Sequence, residues 1–268
     1  MKIPLVRFAA CLLPLLAWAQ TPSAGSTGLP QTRSGQVPAP DLAVNPAAEI
    51  KAVNPALPTL FIAGDSTAAK NNGDPIQGWG VPFADYFDLT KINVVNQARG
   101  GRSSRTFITE GLWDRLMAQV KAGDIVLIQF GHNDGDDVNE RPAGSTKPLR
   151  ARGSLPGLGE ETRDLVNALT HQPETVHTFG WYIRRMLADV QAKGATPIVL
   201  SLTVRDIWTD GRIERGSGGF RQWDREIAAQ AGIAFVDVTR IVADRYQALG
   251  PAQVKELYGP DHTHPNAA

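Results

Sequence analysis

Thr59-Leu60-Phe61-Ile62-Ala63-Gly64-Asp65-Ser66-Thr67 is the stretch on which the reading of this 268-residue chain turns. Residues 59–63 are apolar or β-branched without a break, as in a strand covered on both faces; a half-exposed strand would alternate. The run then stops at a glycine and three polar residues. Continuous runs of the same kind recur at 92–96, 124–130, 196–202 and 233–238. Between them lie amphipathic stretches of helical length at 80–87, 111–121, 176–193, 220–231 and 239–249. In 176–193, Ile183, Met186, Leu187 and Val190 recur at three- and four-residue spacing, and Lys193-Gly194 supplies a cationic last turn and a stop. Trp181 falls in the same apolar pattern and reads as core more than as a sugar-stacking face. Strands alternating with helices predict a three-layer α/β/α sandwich around a central, mostly parallel five-stranded sheet. In such sheets, sites form at the carboxyl ends of the strands, where both Ser66 and Asn133 would stand.

Outward from this domain, Lys2 and Arg7 precede an apolar run at 8–18, and Ala17-Trp18-Ala19 has the form of a cleavage signal. Residues 1–19 read as a secretory signal peptide, too short for the roughly 20 apolar residues of a membrane-spanning helix. The expectation is a secreted or periplasmic protein with no membrane association after cleavage. Residues 20–56 read as a Pro/Ala-rich linker; 20–58 holds seven of the 19 prolines. Cys11 is the only cysteine and lies in the signal segment, which excludes disulfides and a thiolate nucleophile from the cleaved chain. The 27 basic and 27 acidic side chains become 25 against 27 once Lys2 and Arg7 are removed, a balance that gives no reason to expect nucleic acid or anionic membrane as partner. Within the long irregular stretch 135–174, Arg141, Lys147, Arg150 and Arg152 form a window without an acid. It reads either as a surface for an anionic polysaccharide or as a solvated loop.

The chemistry-bearing residues follow strand-like runs. Ser66 taken alone reads as a helix N-cap; taken with the rest, it reads as a nucleophile whose own N–H helps hold an oxyanion. Gly131-His132-Asn133-Asp134 follows the 124–130 run, and the Asn133 amide is the type of donor that stabilises a developing oxyanion. Gly100-Gly101, after the 92–96 run, offers an N–H that a ligand can approach closely, or simply a turn. Asp261-His262-Thr263-His264 supplies an imidazole base, His264, and a carboxylate, Asp261, to orient it. A rival assignment groups Asp261, His262, His264 and His132 as zinc ligands of a metallohydrolase, but leaves Ser66 and Asn133 without roles. Trp79 offers a sugar-stacking face, or a core ring.

As a set, these motifs resemble the SGNH hydrolases of the GDSL superfamily, and Gly78-Trp79-Gly80 with the run from Asn96 to Thr106 narrows the resemblance to the rhamnogalacturonan acetylesterase-like branch. It extends from about Leu57 to the end of the sequence, so 57–268 reads as one hydrolase domain. The resemblance implies a flavodoxin-like sandwich, Ser66 as nucleophile, His264 as base and Asp261 as its partner. It further implies an oxyanion hole of Ser66, Gly101 and Asn133, with no metal and no cofactor. His262 is not carried over and reads as structural or substrate-facing. The sequence stops at Pro265-Asn266-Ala267-Ala268, where the family pattern continues into a final helix. The implied activity is removal of O-acetyl groups from a plant cell-wall polysaccharide, rhamnogalacturonan first and acetylxylan next, by a monomer. A broad short-chain acyl-ester hydrolase, acyl transfer to a sugar and an inactive polysaccharide-binding protein are the alternatives.

Overall fold

Every residue of Thr59–Gly64 (β1) is buried, because β1 lies inside a sheet with neighbours on both edges and helical layers on both faces. The computed structural model describes residues 53–70, 76–141, 143–216, 218–259 and 261–266. The segments read from the sequence as signal peptide and linker lie, up to residue 52, outside the described residues. After β1 come a 3₁₀ helix at Pro82–Tyr86, β2 (Asn93–Asn96), α1 (Ser104–Thr109), α2 (Leu112–Met117) and β3 (Ile125–Gln129). A hairpin of β4 (Thr162–Val166) and β5 (Pro173–His177) leads into α3 (Phe179–Ala192) and β6 (Thr196–Leu200). The chain continues through the short pair β7 (Trp208–Thr209) and β8 (Arg212–Ile213) to α4 (Phe220–Ala231), β9 (Ala234–Val236), α5 (Val238–Leu249) and α6 (Pro251–Glu256).

The main sheet has the order β2-β1-β3-β6-β9. Each neighbouring pair is parallel, with Ile62 opposite Asn96 on one side and Leu127 on the other. Side chains alternate across it, as the two-residue period of a strand requires. Phe61, Ala63, Val126 and Ile128 face a core shared with Phe107, Trp113, Ile183, Met186 and Ile227, which come from α1 to α4. Leu60, Ile62, Leu127 and Leu200 face the opposite layer, with Trp79, Phe83, Phe87 and Val238. This is the three-layer sandwich that the sequence predicts.

Several local expectations shift. The 176–193 helix begins only at Phe179, because Val176 and His177 complete a strand paired with β4; the Thr178 hydroxyl then caps α3 by accepting from Trp181 N–H. Trp181 is not core: it is half-exposed, stacked on His177 at 3.6 Å between ring centroids. The 80–87 helix is a single 3₁₀ segment starting at Pro82. The 135–174 stretch is not irregular throughout, since it ends in the β4–β5 hairpin, and α1 and α6 are additional helices. At the near edge of the sheet, Asn54 and Asn93 exchange hydrogen bonds of 3.0 and 2.9 Å, tying the end of the linker stretch to β2.

Candidate active site

The carboxyl end of β1 turns sharply at Asp65. Its carboxylate accepts from Thr67 N–H and Thr67 Oγ1, both at 2.8 Å, and its carbonyl accepts from Ala68 and Ala69 N–H. Ser66 therefore opens a hydrogen-bonded turn, where a regular strand–helix junction would have placed it in the first turn of a helix. Gly78-Trp79-Gly80 packs against the back of this turn: Gly78 N–H donates to Ala69 O and Trp79 N–H to Thr67 O. A Cβ on Gly78 would meet the Ala68 and Ala69 backbone at 2.4 Å, so no larger residue fits there.

The segment 261–266 brings His264 to Ser66 across 198 positions of sequence. His264 Nε2 lies 2.8 Å from Ser66 Oγ, and Nδ1 lies 2.7 Å from Asp261 Oδ2. Three-residue spacing suffices because Asp261 Oδ1 also accepts from the N–H groups of Thr263 and His264, at 2.7 and 2.8 Å. Burial alone would raise the Asp261 pKa, but the hydrogen bonds from the His264 side chain and backbone and from Thr263 outweigh it and hold the carboxyl below its usual range. Asp261 thus stays an anion against the imidazole near neutrality.

Two further loops complete the wall. The Asn133 amide donates to Arg102 O at 2.9 Å. Gly101 has φ +78°, a left-handed turn that suits glycine, and its carbonyl accepts from Arg152 Nη1 at 2.8 Å. The next residue of β3's extension, Asp134, is buried and binds Ser104 through both the hydroxyl and the N–H, which joins the Asn133 turn to the start of α1. Burial pushes the Asp134 pKa up to about 6, against the lowering effect of the Ser104 bonds. His132 Nε2 sits 2.9 Å from Thr203 Oγ1. Burial, with the Arg205 and His264 charges, outweighs the Asp65 charge and holds His132 below the usual imidazole range.

Ser66, Gly101, Asn133, His262 and His264 all line one cavity of about 760 Å³, together with Lys147, Arg150, Arg152, Arg205 and Phe220. Trp79 does not line it. Its indole Nε1 donates to Gln129 Oε1 at 2.7 Å, its ring packs edge-on against Phe83, and it borders a separate, mostly apolar groove beside Val238 and Tyr246. His132, His262 and His264 of the rival zinc assignment line the same cavity, but both ring nitrogens of His264 face Ser66 and Asp261, and among the described residues no group of three His, Cys, Asp or Glu is placed to hold a metal ion. Nor, among the described residues, is any helix long and apolar enough to cross a membrane. Sequence reasoning missed Arg205 and Phe220. Arg205 lies just beyond β6, so applying the strand-end rule to that strand would have found it.

The match to known proteins covers the same segment. Residues 62–268 fit the model of the GDSL-like lipase/acylhydrolase family. The chain belongs to that family. This acylhydrolase, a carboxylic ester hydrolase, is 36% identical over 211 residues to a rhamnogalacturonan acetylesterase of Emericella nidulans, covering 78% of each chain. It is 29% identical over 212 residues, 77% of each chain, to the rhamnogalacturonan acetylesterase RhgT of Bacillus subtilis. The solved structure of Bacillus subtilis YxiM shares its fold, with a TM-score of 0.60 at 23% identity over 79% of the acylhydrolase and 52% of that chain; the acylhydrolase spans about half its length.

Proposed function

We propose that the protein is an exported carbohydrate esterase that removes O-acetyl groups, with acetylated rhamnogalacturonan as the favoured substrate. The single observation that carries the reading is the continuous Ser66–His264–Asp261 hydrogen-bond chain in an open, polar cavity. The two acetylesterase relatives supply the substrate class, and Lys2, Arg7 and the apolar run 8–18 supply the export signal.

In this mechanism His264 Nε2 takes the Ser66 proton as Oγ attacks the acetyl carbonyl carbon. Asp261, already anionic, stabilises the imidazolium that forms. The tetrahedral oxyanion is held by the Asn133 amide and the N–H groups of Gly101 and Ser66, a set in which one donor is worth roughly 3 kcal/mol. Imidazolium then protonates the departing sugar oxygen, and water repeats the sequence on the acetyl-enzyme. The test is acetate release by the purified protein from acetylated rhamnogalacturonan, acetylxylan and 4-nitrophenyl acetate in parallel. A kcat/KM highest on rhamnogalacturonan is expected. Turnover of the small ester alone would reduce the reading to a general short-chain esterase.

A further inference from the structure

Charge is distributed unevenly in a chain whose formal charges cancel, 27 against 27. The cavity wall that holds Ser66 and His264 carries Lys147, Arg150, Arg152 and Arg205, and among the described residues that line it Asp136 is the one carboxylate. Arg152 and Asp136 are already committed to the protein: they bind each other at 2.5 Å, and Arg152 also holds the Gly101 carbonyl. The side chains of Lys147, Arg150 and Arg205 have no hydrogen-bond or ion-pair partner among the described residues. Arg205 Nε is moreover buried, a donor withdrawn from water with no acceptor supplied. Lys147 and Arg150 arrive from the 135–174 segment and Arg205 from beyond β6, so two distant parts of the chain bring cations to one wall. A merely solvated loop face gives no reason for the third to be there.

We infer that Lys147, Arg150 and Arg205 form the subsite that holds a uronate carboxylate of the sugar chain. The inference rests on the carbohydrate-esterase reading above. A guanidinium presents paired donors that match a carboxylate, and an ammonium adds a point charge. Three cations in a cleft also raise the local concentration of a polyanion. The subsite discriminates between glycans by charge, while the Ser66 and His264 chemistry is the same for any acetyl ester.

Binding to the Ser66→Ala protein, followed by calorimetry, tests this. The probes are an oligogalacturonate with free carboxylates and the same oligosaccharide methyl-esterified. The acid form is expected to bind at least about tenfold tighter at low salt, with the gap narrowing as sodium chloride rises. In Arg205→Gln and in Lys147→Gln/Arg150→Gln, affinity for the acid form is expected to fall toward that of the ester; Arg205→Lys, which keeps the charge, is expected to retain part of the gap. Equal affinity for the two forms, no binding of the acid form, or a gap that survives in folded variants would overturn the subsite. Failure of the esterase reading shows separately, as absence of Ser66-dependent release from 4-nitrophenyl acetate by the native-sequence protein.

Discussion

Arg105 is the side chain whose replacement the structure makes most costly. It is 0% exposed on α1 and meets Glu174 of β5 side-on, Nε to Oε1 and Nη2 to Oε2, both at 2.7 Å. Nη1 donates to the carbonyls of Val138 and Gly153, also at 2.7 Å. One guanidinium thus ties the β4–β5 hairpin and the loop carrying Arg150 and Arg152 to the helix that follows Gly101. Arg105→Ala leaves a carboxylate only 15% exposed with Asn167 as its remaining side-chain partner. Breaking a buried pair in this way costs about 3–5 kcal/mol, or a fall in Tm of about 10 °C for a domain of this size. Glu174 adds a pH signature. Burial raises its pKa, but the bonds from Arg105 and Asn167 outweigh burial and hold it below the usual range, so the pair stabilises the fold above about pH 4.3, the unfolded value, and loses that contribution as pH falls through the folded value. Without Arg105 only the Asn167 bond opposes burial, so the deficit of Arg105→Ala is expected to be largest near neutrality and to shrink on acidification. Urea denaturation between pH 4 and 7 measures both. A loss under about 1 kcal/mol, the worth of a surface pair, or a deficit independent of pH would refute the reasoning.

Asp134→Asn is expected to flatten the pH dependence of stability. With a folded pKa of about 6 against about 3.9 unfolded, native Asp134 favours folding at low pH and costs about 1–3 kcal/mol as pH rises through 6, a slope that denaturant midpoints at pH 4.5 and 7 will show missing in the variant. Trp79→Phe deletes the hydrogen bond to buried Gln129 and is expected to lower stability by about 1–3 kcal/mol while leaving the KM for polysaccharide where it was; a raised KM with unaltered stability would make Trp79 a substrate contact. Asp261→Asn is expected to lower kcat by a factor on the order of 10³–10⁴, measured as acetate release at saturating substrate, because the imidazole loses the anion that orients it.

The sheet was legible because two-faced burial leaves continuous apolar runs: β1 and β6 start at the expected Thr59 and Thr196. α4 matches its expected bounds because Gly219 and Gly232, both with positive φ, flank it. The β4–β5 hairpin was hidden for the opposite reason. Thr162–Val166 is mostly exposed and polar, and the Glu174–Arg105 pair spans 69 positions, so no local pattern announces it. Asp261 and His264 were legible as a pair from their spacing; their meeting with Ser66 came from family resemblance, since a contact across 198 residues leaves no periodicity. Arg205 escaped because its significance arises only where it converges with Lys147 and Arg150.

The central claim is that Ser66, activated by His264, carries the acetyl group. Acetate release from acetylated rhamnogalacturonan by the native-sequence protein and by Ser66→Ala, each with excess chelator, tests it most directly. Release that persists under chelation and falls by a factor on the order of 10⁴ or more in Ser66→Ala is the predicted result. Release abolished by the chelator, or retained by Ser66→Ala, would contradict it.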